Sequence, residues 1–255
     1  RLCQEMLEKQ RMAQQFKLAR EIQESFIPRE FPQPPGMEVV GWSQSCDETG
    51  GDYLDFQPLP DGRLALMVGD VSGHGLGSAL FMATARAGLR ALLYEHRDLG
   101  EVFRVLNHLM CCDMEGKAQF MTLAVFLLDP KRRVFSYCNA GHDAPLWWNS
   151  AGRRDQEMAS RGMPLGMMEG VTYRHSSDLP LTPGDCWVFF TDGIWEARNE
   201  QGEFFGKARL GEILMDNREL SAKLLMQRMA DATKEHAGKR GLRDDATLLE
   251  VKVCL

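Results

Sequence analysis

The sequence predicts an α+β domain built mainly of antiparallel sheet. Apolar, β-rich runs flank tight-turn dipeptides, Asp61-Gly62 and Asp129-Pro130, that read as hairpin connections. Helix-period segments are grouped between those runs and do not alternate with single strands as βαβ units would. The chain of 255 residues is 44% hydrophobic and 26% charged, enough to bury a core. That composition excludes a disordered tail, a coiled-coil rod and a collagen-like chain.

The elements follow in order. Residues 1–27 are rich in Gln, Glu, Lys, Arg and Met and lack Gly. Ala13, Phe16, Ala19, Ile22 and Phe26 step at helical spacing, which predicts a leading helix with one apolar stripe. Such a helix can pack on its own domain, or pair with a second copy as a two-stranded coiled coil. Pro28, Pro32, Pro34 and Pro35 end it. Met37–Ser43 and Leu64–Val68 read as strands, the second closed by Gly69-Asp70. Small and apolar residues from Leu76 to about His96 predict a helix, and Glu101–Cys112 a second. Phe120–Leu128 and Arg133–Cys138 form a hairpin about Asp129-Pro130, and Val171–Ser176 and Cys186–Phe190 read as further strands. Lys207–Met215 and Ser221–Glu235 are helical, and Ala246–Val253 is a closing strand.

Several function classes fall away. No apolar run reaches the ~18 residues that span a bilayer, so no membrane partner is expected. A net charge of −6 without a dominant basic block argues against nucleic acid. Seven cysteines, none at C-x-x-C spacing and most inside apolar runs, read as buried free thiols in a reducing cytoplasm. The start at Arg1, with neither an initiator Met nor an apolar signal region, is read as a cut from a longer protein.

Aspartates beside glycines at strand ends carry the chemistry: Gly50-Gly51-Asp52, Gly69-Asp70-Val71-Ser72-Gly73, Thr191-Asp192-Gly193 and Arg243-Asp244-Asp245. One Asp-Gly pair is ordinarily a turn. Several carboxylates at neighbouring sheet ends would repel one another unless a cation lay between them. Hard oxygen donors suit Mg²⁺ or Mn²⁺, and a two-cation site suits phosphate chemistry without a protein nucleophile. The chain has neither a G-x-S-x-G elbow nor an H-E-x-x-H pair. The loop Gly73-His74-Gly75-Leu76-Gly77-Ser78 imitates a dinucleotide-binding turn, but Ser78 stands where the last glycine is needed, and Glu95 falls in a helical stretch. His74 and His142, in Gly-rich loops, read as structural hydrogen-bonding residues before they read as ligands or acids. The tryptophans read as core or lid packing, and the clusters at Lys131–Arg133 and Arg153-Arg154 as solvated turns. Arg243 is placed to reach a phosphate.

The ordered motifs GGDYLDF, GDVSGHGLGSAL, NAGHDAPL, PLG, LTPGD, TDGIWEA, FG and RDDATLL resemble the bacterial PPM phosphatases of the SpoIIE/RsbU type, relatives of eukaryotic protein phosphatase 2C, over about Ile22 to Val253. The resemblance implies a four-layer αββα sandwich of two antiparallel sheets preceded by an N-terminal helix, with two Mn²⁺ or Mg²⁺ ions at one end. It implies dephosphorylation of Ser or Thr by attack of a metal-bridging water, on a phosphorylated STAS-domain protein, under an upstream receiver, PAS or GAF domain. Residues 1–27 would be the linker and homodimerisation helix, and 28–255 the phosphatase domain. Asp70 would bridge both metals, with the Val71 carbonyl and Asp52 on the second and Asp192 and Asp244 on the first; Asp70 and Asp192 would be the catalytic pair. Asp245 is an adjacent candidate and Asp55 a supporting acid. Ser72 stands where the eukaryotic relatives carry a general-acid His, and the phosphate-gripping Arg has no clear counterpart. Gly77-Ser78 replaces a more usual Pro-Ala or Ala-Ala. A rival expectation is the same fold used as an adaptor that binds a sigma-factor pathway protein without turnover; a nucleotide-binding oxidoreductase rests on the Gly73–Gly77 loop alone.

Overall fold

Strand pairing and side-chain alternation together build a four-layer sandwich. A computed structural model describes residues 2–95, 98–113, 116, 118–149, 152–153, 158, 162–176 and 178–254; His96 and Arg154 fall outside that range. The order is α1 (Leu2–Glu24), β1 (Met37–Gln44), β2 (Asp52–Pro58), β3 (Leu64–Val71), α2 (Leu76–Glu95), α3 (Leu99–Asp113), β4 (Met121–Asp129), β5 (Val134–Ala140), β6 (Leu146–Asn149), β7 (Gly152–Arg153), β8 (Leu179–Pro180), β9 (Cys186–Phe190), α4 (Asp192–Trp195), α5 (Lys207–Asp216), α6 (Ala222–Ala237) and β10 (Ala246–Val253). Among the described residues the strands form two five-stranded sheets, β1-β10-β9-β6-β7 and β2-β3-β4-β5-β8, with every named pairing antiparallel.

Each strand divides its side chains between two faces. In the second sheet Leu54, Leu66, Val68, Ala124, Phe126, Leu128 and Phe135 face the other sheet, where Val39, Trp187, Phe189, Leu249 and Val251 meet them. Phe126 stacks on Phe135 at 4.3 Å between centroids and meets Trp187 and Phe189 at 5.4 Å each. The alternate residues Tyr53, Ala65, Met67, Val71, Leu123, Val125 and Leu127 turn outward beneath α2 and α3. On the other sheet Leu146, Cys186, Val188, Phe190 and Leu248 are covered by α4, α5 and α6.

The turn chemistry is local. Gly62, at φ +88°, lets the β2–β3 hairpin close through Gly62 N–H to Leu59 O and Leu59 N–H to Arg63 O. At the β4–β5 turn, the Asp129 carboxylate accepts from the N–H groups of Lys131 and Arg132. Ser221 caps α6 by accepting from Leu224 N–H.

One expected strand needs correction, and two elements carry more than the sequence shows. Val171–Ser176 forms no strand, so His175 lies in a loop: Ser176 N–H donates to Tyr137 O, but the ladder on β5 is made by Leu179–Pro180, while Tyr173 turns into the core against Phe103 at 5.6 Å. Met37–Ser43 and Leu64–Val68 are strands, but the partner of the second is β2, a run the sequence hides because it mixes Asp, Tyr and Gln with Leu and Phe. The leading helix forms, and of its stripe Phe26 packs into the core, Phe16 and Ala19 are half-buried, and Ala13 and Ile22 are exposed. Ile22 is 51% exposed, and Met6, Leu7, Met12 and Leu18 are exposed on other faces. Only Gln23 is buried along the described side chains of α1, and Phe26, past the helix end, packs into the core beside α2.

Because Phe126 sits where four rings converge, Phe126→Ala is expected to cost about 3–5 kcal/mol of stability, read as a shift of the denaturant midpoint at constant m-value.

Candidate functional site

The inter-sheet layer changes character at one end. Continuing the alternation past the apolar core, the residues that point between the sheets become Asp52 after Leu54, Asp70 after Val68, Thr122 after Ala124, Asn139 after Tyr137, Thr191 after Phe189, and Thr247 and Asp245 after Leu249. Six strands thus switch from apolar to polar at the same level. β2 and β3 pair with Asp52 directly opposite Asp70, which puts both carboxylates on one face.

Hydrogen bonds across the two sheets fix this layer. Asp52 is buried at 6% exposure, and its Oδ2 accepts from Thr191 Oγ1 (2.8 Å) and Thr247 Oγ1 (2.6 Å). Thr247 N–H donates to Thr191 Oγ1, so the two hydroxyls hold each other as well as the carboxylate. Asp245, also buried, accepts from Cys46 N–H (2.9 Å) and Gly51 N–H (2.7 Å), which binds the loop before β2 to the foot of β10. A side chain at Gly50 would run into that carboxylate, and a Cβ at Gly51 would meet Val71 O at 2.5 Å. These two glycines are therefore required by close approach. Asp192 opens α4 after the buried Thr191, and Asp244 lies more exposed just before β10.

The carboxylates act on one another. Burial, then the charges of Asp192, Asp244 and Asp245, push Asp70 up to about 8. Burial and Asp244 push Asp192 up to about 6. Burial raises Asp244 as well, and burial and Asp70 raise Asp52 well above the ordinary carboxylate range. Four chain-distant acids, Asp52, Asp70, Asp192 and Asp244, therefore meet in space. Among the described residues no Lys or Arg is paired with Asp70, Asp192 or Asp244. Such a set of hard, unneutralised oxygen donors fits divalent cations.

A cleft of about 170 Å³ opens beside them, lined by Asp70, Thr122, Gly141, His142, Asp143, Asp192 and Trp195. Asp143 accepts from Trp195 Nε1 at 2.7 Å and pairs with Lys207 at 2.6 Å, forming the wall across from the acids. His142 is buried; its Nδ1 lies 2.9 Å from Thr122 Oγ1, its N–H donates to Asn139, and burial lowers it to about 4, so the ring is neutral at physiological pH. A larger groove of about 570 Å³ on α5 and α6 contains none of these acids.

The remaining candidates separate cleanly. Ser72 Oγ accepts from Phe120 N–H, a loop brace. His74 is exposed and pairs with Asp47 at 3.2 Å. Asp55 points away from the cluster, to Arg90 at 2.7 Å and Arg86 at 3.2 Å on α2. Arg243 is exposed beside Asp244. Trp147 and Trp187 are core, while Trp195 lines the cleft. Sequence reasoning missed Thr191, Thr247, Thr122 and Asp143, although continuing the strand alternation by one step selects the three threonines.

Comparison with known proteins decides the family: residues 60–254 match the family model described as Stage II sporulation protein E (SpoIIE). The chain belongs to the SpoIIE family. As a SpoIIE-family chain it is a bacterial PPM phosphatase of the SpoIIE/RsbU type. It is 29% identical over 229 residues to Protein IcfG of Synechocystis sp., a match covering 80% of this chain and 36% of that protein. It is 22% identical over 243 residues to phosphoserine phosphatase RsbU of Bacillus subtilis, covering 95% of this chain and 71% of RsbU. The SpoIIE-family chain thus spans little more than a third of IcfG. In fold it is similar to the SiaA-PP2C domain of Pseudomonas aeruginosa, with a TM-score of 0.81 at 21% identity over 96% of this chain and 98% of that one. No helix among the described residues is long and apolar enough to cross a membrane.

The raised carboxylates give a signed expectation. Asp70 and Asp192 have an ordinary value of 3.8, so from about pH 4 to about pH 8 the folded metal-free chain keeps protons that the unfolded chain has released. Stability of the metal-free protein should fall as pH rises through that window. Buried Glu250, raised to about 8, adds in the same direction. Thermal melts with chelator should show this fall, Mn²⁺ should reverse it at about pH 8, and Asp70→Asn should flatten the slope.

Proposed function

We propose that this domain is a metal-dependent phosphoserine/phosphothreonine protein phosphatase working on a phosphorylated STAS-domain protein. The observation that carries the reading is the convergence of Asp52, Asp70, Asp192 and Asp244 at the polar end of the inter-sheet layer, beside a cleft of about 170 Å³. A cleft of that size suits a phosphorylated side chain better than a nucleotide. The phosphoserine phosphatase RsbU, similar along 95% of this chain, supports the same substrate class.

In this reading Asp70 would help to hold Mn²⁺ or Mg²⁺ ions, two in number. Asp52 and the Val71 carbonyl would help hold one, and Asp192 and Asp244 the other; Asp70 and Asp192 would be the residues on which turnover depends most. Two such cations supply Lewis-acid polarisation of a phosphoryl oxygen and a water of lowered pKa. The chain itself supplies position. Thr191 and Thr247 aim Asp52, leaving its second oxygen free of them. Asp245 holds Gly51 against the sheet end so that the backbone approaches the cluster closely. Trp195, Asp143 and neutral His142 close the far wall and limit water around the bound phosphate.

The leading helix is read as the linker to an upstream receiver, PAS or GAF domain and as a homodimer contact of a cytoplasmic protein. Its exposed apolar residues Met6, Leu7, Met12, Leu18 and Ile22 support an interface outside this domain. Gln23 supports coupling: its amide donates to Gly50 O and accepts from Gly50 N–H, one residue before the N–H that Asp245 holds. A shift of α1 would therefore pull on the loop leading into Asp52.

Three outcomes are expected. With Mn²⁺ the purified chain releases phosphate from a phosphoserine peptide, and Asp70→Ala or Asp192→Ala lowers the rate by at least about 10³-fold; full activity in both variants would remove the mechanism. Metal binding by calorimetry without release of phosphate from any phosphorylated STAS protein would instead indicate an adaptor. Gln23→Ala should change the Mn²⁺ concentration for half-maximal activity several-fold, by about 1 kcal/mol for the lost pair of hydrogen bonds, with the fold unchanged by circular dichroism.

A further inference from the structure

We propose that His108, Cys112 and Glu169 form a second metal site, on the outer surface and separate from the carboxylate cluster, that takes a thiophilic divalent ion, Zn²⁺ above all. His108 and Cys112 stand four residues apart near the end of α3, so both side chains leave the same helix face. Cys112 Sγ lies 4.0 Å from His108 Nε2, and Glu169 brings its two oxygens to 3.1 and 3.2 Å from His108 Nδ1. One donor atom from each of the three residues lies within 4.8 Å of the others. Around a tetrahedral zinc ion an imidazole nitrogen and a thiolate sulfur stand about 3.6 Å apart, so an ion on Nε2 needs Cys112 Sγ to close by about half an ångström and the exposed Glu169 carboxylate to swing from the Nδ1 side to the Nε2 side.

The third donor is not on a loose loop. Buried Asn107, one residue before His108, donates to Met168 O (2.8 Å) and accepts from Gly166 N–H (3.0 Å) and the Tyr173 hydroxyl (3.1 Å). This clamp holds the segment leading to Glu169 against α3 whether or not an ion is bound. Neighbouring Cys111 is half-buried, whereas Cys112 is exposed beside His108, so Cys112 is the thiol placed to bind.

The donor set selects the ion. Thiolate sulfur and imidazole nitrogen favour Zn²⁺ and Co²⁺ over Mg²⁺ or Mn²⁺, which want oxygen alone. Cys112 as thiolate and Glu169 as carboxylate balance the double charge, and water completes the fourth position. All three side chains are exposed, so the ion has a direct entry path. A bound ion would stitch α3 to the segment that carries Leu165, whose N–H and O pair with Met121 at the start of β4. Pro164 of that segment packs on Gly141, which lines the cleft. The site would therefore stiffen the back of the cleft wall.

The test uses the whole chain with excess Mg²⁺ to occupy oxygen-only sites, and Co²⁺ as the probe. A thiolate-to-cobalt charge-transfer band should saturate at one equivalent, and one equivalent of Zn²⁺ should bleach it. The band should vanish in Cys112→Ser, and the apparent affinity should fall about tenfold or more in His108→Ala and Glu169→Gln. Circular dichroism reports whether each variant folds, and Mn²⁺-dependent phosphatase activity without added Zn²⁺ or Co²⁺, whose acids lie elsewhere, should persist in all three. Absence of the band in the wild-type chain, or its survival in Cys112→Ser, would overturn the proposal and leave the phosphatase reading untouched.

Discussion

The structure is organised around a repulsion. Four carboxylates from β2, β3, the start of α4 and the turn before β10 are held close together, and burial with the neighbouring charges raises their proton affinity, most of all for Asp52 and Asp70. Such an arrangement is unfavourable in a folded protein unless the scaffold imposes it and a cation relieves it. The scaffold here is the pair of sheets. Their aromatic centre around Phe126, Phe135, Trp187 and Phe189 fixes the spacing between layers, and the strand register carries that spacing to the polar end. Apolar packing thus sets the distance at which the acids must meet.

Hydroxyls and backbone amides keep the acids in place. Asp52 is held by two threonines from the opposite sheet, and Asp245 by two amides from the loop before β2. These bonds cross between the sheets, so neither sheet can slide without disturbing the cluster. The same loop is where α1 arrives through Gln23, while Phe26 places its ring under Arg86, which pairs with Asp55 on β2. Both ends of β2's approach are therefore coupled to the leading helix. A helix with exposed apolar residues on several faces, tied at one end to the acid loop, has the mechanical layout of a lever.

Legibility varied with how local the determining interaction is. Hairpins at Asp61-Gly62 and Asp129-Pro130 could be read because the turn residues bond their own backbone. Helices α2, α3, α5 and α6 could be read because each buries one face at helical spacing. β2 was hidden because Asp52 and Asp55 break its apolar run, and each is buried only by partners far along the chain. Val171–Ser176 has strand composition, but it touches β5 through Ser176 N–H to Tyr137 O rather than along a ladder, and Tyr173 turns into the core, so it runs as a loop. The stripe on α1 is buried on this domain mainly at its end, where Phe26 reaches the core, while Ala13 and Ile22 stay exposed.

The sequence by itself determined the fold class, the positions of the acidic strand ends and, through motif order, the family. Those properties rest on backbone propensities, side-chain alternation and the order of short segments, all of which are written along one dimension. The tertiary structure alone decided which acids face the cluster. Asp245 is turned to the amides of Cys46 and Gly51, Asp55 is drawn to arginines on α2, and Thr191 and Thr247 become the holders of Asp52. Those assignments depend on distances between residues as many as 199 positions apart, which only the register and stacking of two sheets define.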